Sequence, residues 1–413
     1  MKKLLIICML LGSSLFANEE YYLMFEKDFS SYTGAEDVLT FHESIEYLMG
    51  KMIRIPKKRN VTCFLSRGAE MIFVWGPLSR FELVTQHEVF GHGYRIRDIN
   101  SGIVKVKRYI LQPSWPYGDG SGATYYKFRP ELTSFGEMAI SLAGVDSTAI
   151  LANRLKMKWI SDLRLDPKKA SLYIQAQQDL TAYAYSMDDE IIFNDDGHDI
   201  ESYLYWLNNT YYEDNLSKTD LKRACLINFL DPMTYYCMYS YLNYLISGRD
   251  ISIPTIKIKN VRFLPNFRLG LAPYGIEYYL ENFISYKSCP IYTYLKMGKH
   301  NGEAFWGLGL EYPNVYKFNK NKFGFRVDFF RQPKIYLNGG WVVFNEISVG
   351  FSNEELKKMI NGVSSYLIYE RKLFDKLDIS LHSELGYKTS GFLPGQSLKN
   401  AWIFRLGLGF SSF

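Results

Sequence analysis

The hydrophobic period of this chain changes near Ile251, and that change limits the possible fold more than any other feature. From about Thr33 to Gly248, apolar residues recur three or four positions apart, the spacing of amphipathic helices. The runs are Asp37 to Met52, Pro77 to Gly91, Leu132 to Met157, Pro167 to Met187, His198 to Asn208 and Lys218 to Ile246. Pro77 suits a first helical turn, and Gly91 or Gly93 a helix end. Two strands interrupt this text, Ile103 to Ile110 and Ala123 to Phe128, with the glycines of Gly118 to Gly122 as the turn between them. After Ile251 the period is two: Trp306, Leu308 and Leu310, then Phe323, Phe325 and Val327, then Leu377, Ile379 and Leu381, then Trp402, Phe404 and Leu406 alternate with small or polar neighbours. Weaker runs at Phe263 to Ala272, Ile276 to Ser285, Pro290 to Met297, Trp341 to Gly350 and Ser364 to Leu373 bring the strands to eight or nine.

Strands of about ten residues with one apolar face, joined by turns such as Lys299-His300-Asn301-Gly302, have the pattern of a transmembrane barrel, and a soluble sandwich alternates in the same way. The barrel is favoured because Arg326, Asp328, Glu370, Asp378, Glu384 and Arg405 fall on the side expected to face a lumen, and because aromatics recur near strand ends. The final amphipathic strand also runs into a terminal aromatic, Phe413. This ending resembles the C-terminal signature of bacterial outer-membrane proteins, and the resemblance implies assembly in the outer membrane with lipid as a partner. A single-chain barrel has an even number of strands, so about eight are expected, with one of the nine runs a plug or loop.

Export is expected on independent grounds. Met1-Lys2-Lys3, the apolar run Leu4 to Phe16 and the small Ala17 before Asn18-Glu19-Glu20 have the order of a secretory signal over 1–17. The expected organisation is a helical domain over 18–250 and a barrel over 251–413. Cys63, Cys225, Cys237 and Cys289 remain after cleavage, an even number compatible with disulfides, and they lack the spacing of a thiolate zinc site. With 47% hydrophobic residues the chain has the apolar surface to fold. A net charge of +5, with the bases spread among 43 acidic residues, leaves no nucleic-acid footprint. The oligomeric state is not readable.

The stretch that carries chemistry is Gln86-His87-Glu88-Val89-Phe90-Gly91-His92-Gly93. A zinc-binding His-Glu-x-x-His helix places its imidazoles four apart on one face. Here they are five apart, about 140° around an ideal helix, and they meet on one face only if the helix swells into a π-bulge, for which Gly91 is the easiest place. The string resembles the His-Glu-Leu-Leu-Gly-His helix of the dipeptidyl-peptidase III family over these six residues. That resemblance implies His87 and His92 as zinc ligands and Glu88 as the general base acting on water. Glu88 and His92, four apart, form an alternative ligand pair. The bland reading is two ordinary histidines near a helix C-terminus.

A third ligand is needed, and Glu137 is chosen because it is a lone carboxylate in the small-residue helix Phe135 to Gly144 and needs a partner when buried. Asp146 and Glu131 are weaker candidates. His42-Glu43 is expected on a solvated face, Asp195 to Asp199 as a turn and helix cap with some calcium potential, His300 in a turn, and His382 toward the lumen. The chain lacks a Gly-x-Ser-x-Gly nucleophile motif.

The sequence therefore reads as an α+β protein, a helical zincin-like domain followed by the barrel. Two functions follow. One is a zinc (Zn2+) metallopeptidase held in the outer membrane and acting on a peptide or protein. The other is a non-catalytic outer-membrane protein whose helical domain binds a partner or plugs the lumen.

Overall fold

The computed structural model of the 413-residue chain describes residues 20–99, 104–128, 132–187, 197–338, 351–374 and 379–411. The expected signal segment, the run Trp341 to Gly350, Glu131 and Asp378 lie outside these residues.

After a first strand, β1 (Glu20–Phe25), come the helices α1 (Ser31–Met52) and α2 (Val61–Glu70), a π-helical turn (Met71–Trp75), α3 (Gly76–His87), a second π-turn (Glu88–His92) and α4 (Gly93–Ile99). The hairpin β2 (Val104–Leu111) and β3 (Gly122–Phe128) follows, then α5 (Ser134–Ser141) and α6 (Ala143–Asp162). A short strand β4 (Arg164–Leu165) leads into α7 (Ala170–Ser186), α8 (Asp199–Thr210), α9 (Lys218–Cys225) and α10 (Pro232–Ser247). Side-chain caps set many of these boundaries: Ser30, Asn60 and Thr133 accept from the first-turn amides of α1, α2 and α5, and Asp231 accepts from Met233 and Thr234 where Pro232 opens α10. The expected run Lys218 to Ile246 is broken at that cap, and Leu132 to Met157 is broken at Leu142. Helix α2 had no counterpart in the periodicity.

The centre is α6, with Leu151, Leu155 and Ile160 fully buried. Each such side chain contributes about 1.5–3 kcal/mol. It packs on α1, α3 and α7.

The remaining strands are β5 (Ile251–Ser252), β6 (Ile256–Ile258), β7 (Val261–Ala272), β8 (Gly275–Tyr286), β9 (Cys289–His300), β10 (Glu303–Phe318), β11 (Asn321–Pro333), β12 (Met359–Phe374), β13 (Ile379–Lys388) and β14 (Ala401–Ser411), with a single turn of helix, α11 (Asn353–Leu356), before β12. Eight of the nine expected runs are the strands β7 to β14. Asn301 and Gly302, both at positive φ, make the two-residue turn that pairs His300 with Glu303.

The expected eight-stranded closed barrel is not what forms. The sheet is open and has ten antiparallel strands in the order β1-β14-β13-β12-β11-β10-β9-β8-β7-β6. Its edges, β1 and β6, do not pair with each other. The sequence pattern missed both: β6 has only three residues, and in β1 the run Tyr21 to Phe25 is apolar throughout and does not alternate. β1 also comes from the helical half of the chain, adding to β14 with Leu23 opposite Leu408.

The expected polarity does hold for the described residues, but the charged face meets helices and not a lumen. Arg405 pairs with Glu384 at 2.6 Å and Glu26 at 3.2 Å, Arg154 of α6 reaches Glu311 of β10, and Tyr32 of α1 lies under the guanidinium of Arg326 at 4.6 Å. These partners satisfy the buried charges directly, so the strands need not enclose water to solvate them. His382 lies on this face between Glu370 and Glu384. His42 corrects a second expectation. It is fully buried, stacked on Trp75 and 2.7 Å from Glu82, because the apolar stripe of α1 faces α3 at that turn. The four described cysteines are buried and free.

Candidate metal centre

The segment from Gly76 to Ile99 continues helically through the π-turn, in which the amide of Gly93 bonds to the carbonyl of Glu88 five residues back. The extra residue per turn rotates His92 back over His87, and their ring centroids lie 4.9 Å apart. Packing explains why the swelling falls here. A Cβ on Gly91 would stand 2.7 Å from the carbonyl oxygen of Ala143, so only glycine allows the π-turn to lie on the start of α6. Carbonyls displaced from the regular ladder find other donors: Ser31 Oγ donates to Phe90 O at 2.7 Å and Arg97 to Val89 O at 2.9 Å. One turn earlier, the buried Gln86 amide donates to Ser31 and Ser147, fixing this helix against α1 and α6.

The third member of the cluster is Asp199, in the first turn of α8 behind the cap residue His198. Its Oδ2 lies 3.0 Å from His87 Nε2 and 3.1 Å from His92 Nε2. The three ligand atoms lie within 4.8 Å of one another, the one such group of three among the described residues. Both imidazoles are oriented from behind: Asp179 Oδ2 is 3.0 Å from His87 Nδ1, and the carbonyl of Ile140 is 2.7 Å from His92 Nδ1. Thr148 in turn donates to Asp179 at 2.9 Å. This arrangement turns both Nε2 atoms toward one point, the outer-shell pattern that holds metal-binding histidines. Two imidazoles and a carboxylate suit several divalent ions, so the donor set fits a metal without specifying which.

Electrostatics follow from the crowding. Burial opposes charge on His87, but Asp179, Asp199 and Glu88 outweigh it and hold the imidazole well above its ordinary pKa. His92 is raised in the same way by Asp199 against its burial. Burial would raise Asp199, yet the two imidazoles hold it well below the usual carboxylate range.

Glu88 is not one of the three clustered groups, though its charge acts on both imidazoles, and the hairpin holds it. Thr124 Oγ1 of β3 lies 2.7 Å from its Oε2 and 3.0 Å from its backbone oxygen, and a Cβ on Gly122 would stand 2.9 Å from its Cγ. Tyr183 stacks on His87, its hydroxyl 3.3 Å from Nε2. Glu137 sits in the first turn of α5, buried as expected, and is not one of the three clustered groups. Its carboxyl is 3.4 Å from the hydroxyl of Tyr126, and burial pushes its pKa up to about 7. Asp146 is buried on α6 and likewise stands outside the cluster.

His87 and His92 were legible in the sequence as members of one cluster. Asp199 was read only within a turn and helix cap with some calcium potential; a helix does open there, with His198 as its cap and Asp199 in its first turn. Asp179, Thr124 and Tyr183 carried no signal, since each is an ordinary residue of an amphipathic helix or strand. Comparison of the chain with protein-family models, curated proteins and solved structures finds no match to any of them.

Proposed function

We propose that this protein is a zinc-dependent hydrolase, acting on peptide or protein, whose metal is held by His87, His92 and Asp199. The observation that carries the reading is the convergence of His87 Nε2, His92 Nε2 and Asp199 Oδ2, with both histidines oriented through Nδ1. When bound, Zn2+ supplies Lewis-acid polarisation of a carbonyl and of water. The chain supplies the rest. Glu88, one residue beyond His87, is fixed through Oε2 by Thr124, and its carboxylate takes the proton from the attacking water and returns it to the leaving amine. The Tyr183 hydroxyl, beside His87 Nε2, donates to the carbonyl oxygen as charge develops there. His87 and His92 are buried while Asp199 is partly exposed, so the centre is open to substrate on the Asp199 side.

The test is metal analysis of purified protein with variants. One zinc per chain, lost in His92→Ala and in Asp199→Ala, with Glu88→Gln keeping zinc but losing peptide hydrolysis, is the expected result. Wild-type protein that binds no zinc under saturating conditions overturns the assignment.

A membrane location is supported by a separate observation, the inverted polarity of the sheet. Its charged face is packed inward while Trp402 and Leu367, 77% and 67% exposed, stand outward with Phe404 and Leu385. We propose that the exported chain rests this apolar face against lipid of the outer membrane. Fractionation that recovers the protein in the soluble periplasmic extract refutes this.

A further inference from the structure

A second apolar surface lies on the helical half, and its chemistry is different. On α10, Tyr235, Met238, Tyr239, Leu242 and Ile246 form an outward stripe at helical spacing, with Leu242 58% exposed. On the neighbouring α2, Cys63 and Arg67 turn inward and leave Val61, Phe64 and Leu65 outward, Leu65 being 63% exposed. Immediately before α2 the chain reads Lys51-Met52-Ile53-Arg54-Ile55-Pro56-Lys57-Lys58-Arg59, with Met52 79% exposed. Arg54, Lys57, Lys58 and Arg59 are exposed, and none makes an ion pair among the described residues. No carboxylate occurs from Lys51 to Ala69 or from Pro232 to Arg249.

Arg67 joins these pieces into one surface. It is 1% exposed and donates to Leu245 O at the end of α10 at 3.0 Å, and to Pro56 O and Lys58 O of the basic segment at 2.7 and 2.9 Å. The cations are thereby held beside the apolar stripes and not on a loose arm.

We propose that this surface docks on an anionic phospholipid interface, with Arg54, Lys57, Lys58 and Arg59 on the phosphates and the outward residues of α2 and α10 among the upper acyl chains. Charge complementarity selects this occupant: unpaired cations adjoin an apolar, tyrosine-rich face free of carboxylates, the composition that membrane interfaces favour. The surface is distinct from the outward face of the sheet and does not depend on the metal centre.

The test is flotation of the full chain with vesicles of phosphatidylcholine alone and of phosphatidylcholine mixed with phosphatidylglycerol. Binding to the anionic vesicles should exceed binding to the neutral ones by about tenfold or more, and should fall when salt rises from about 0.1 M to about 1 M. The combined Lys57→Glu, Lys58→Glu and Arg59→Glu variant should lose this anionic excess while its binding to neutral vesicles, including any through the sheet, stays unchanged. Leu65→Ser with Leu242→Ser should weaken binding to the anionic vesicles as well. These side chains are exposed, and an unchanged melting temperature confirms that the variants fold. Equal binding to both vesicle types, or full anionic binding by the charge-reversed variant, overturns the proposal. So does a shift from dimer to monomer in the leucine variant with vesicle binding intact, because the patch would then be a contact between copies of the chain.

Discussion

Gly144 offers the sharpest probe of the metal centre, because its effect comes from one atom. The ring of His87 lies on the glycine: a Cβ there would stand 2.1 Å from Nε2, 2.4 Å from Cε1 and 2.5 Å from Cδ2. Non-bonded heavy atoms settle at about 3.5–4.0 Å, so Gly144→Ala must drive the imidazole away by more than about 1 Å. The ring has little freedom to accommodate this, since Nδ1 is tied to Asp179 at 3.0 Å and the ring is stacked on Tyr183. Coordination distances tolerate only about 0.2 Å, so the displacement removes one of three ligands. Zinc affinity should fall by about 100-fold or more, at or beyond the upper end of what loss of an outer-shell contact costs. Overpacking should also cost about 1–3 kcal/mol of stability. Competition with a fluorescent chelator measures the affinity, and a thermal melt reports folding. Gly68→Ala is the control, because a Cβ on that helical glycine meets nothing within 4 Å. A folded Gly144→Ala protein that binds zinc as tightly as wild type would refute the assignment of His87 as a ligand.

Other outcomes follow from the same structure. Asp179→Asn should lower metal affinity about 10- to 100-fold by loosening the hold on His87 Nδ1, and the same chelator competition measures it. Burial pushes Asp146 up to about 8, against the pull of Arg95, Arg268 and Lys296 and with the push of Glu277. The folded protein therefore holds a proton there that the unfolded chain releases near pH 4, and stability should decline as pH rises from about 4 to about 8. Asp146→Asn should remove that part of the slope, gaining on wild type most above about pH 8 in urea unfolding; parallel curves for the two proteins contradict it. Lys156 and Asp231, both fully buried, lie 3.3 Å apart. Lys156→Met should destabilise by about 3–5 kcal/mol by leaving the carboxylate without its counter-charge, and adding Asp231→Asn should restore part of the loss in the same unfolding assay.

Local patterns in the sequence specified a good deal of this protein. The period of two placed eight strands, since side chains on a pleated strand alternate wherever one face is apolar. The five-residue spacing of His87 and His92, with Gly91 between them, tied any meeting of those imidazoles to a π-turn, because no ideal helix brings them together. The polarity of the strands was right too, with Arg326, Asp328, Glu384 and Arg405 on one face.

Only the tertiary structure decided what those faces meet. Polarity along a strand shows that charges share a side, but a lumen and a layer of helices satisfy them equally, and here α1 and α6 supply the partners. The three residues of β6 are too few for a period to register and β1 is apolar from Tyr21 to Phe25 without alternating, and the edges of the sheet depended on them. Asp199 stands 107 residues beyond His92. Any acidic side chain has the chemistry for that place, and the calcium potential of Asp195 to Asp199 did not tie Asp199 to the histidines. The packing of α8 against α5 brings it to the histidines, a contact written in the whole core and in no single stretch of chain.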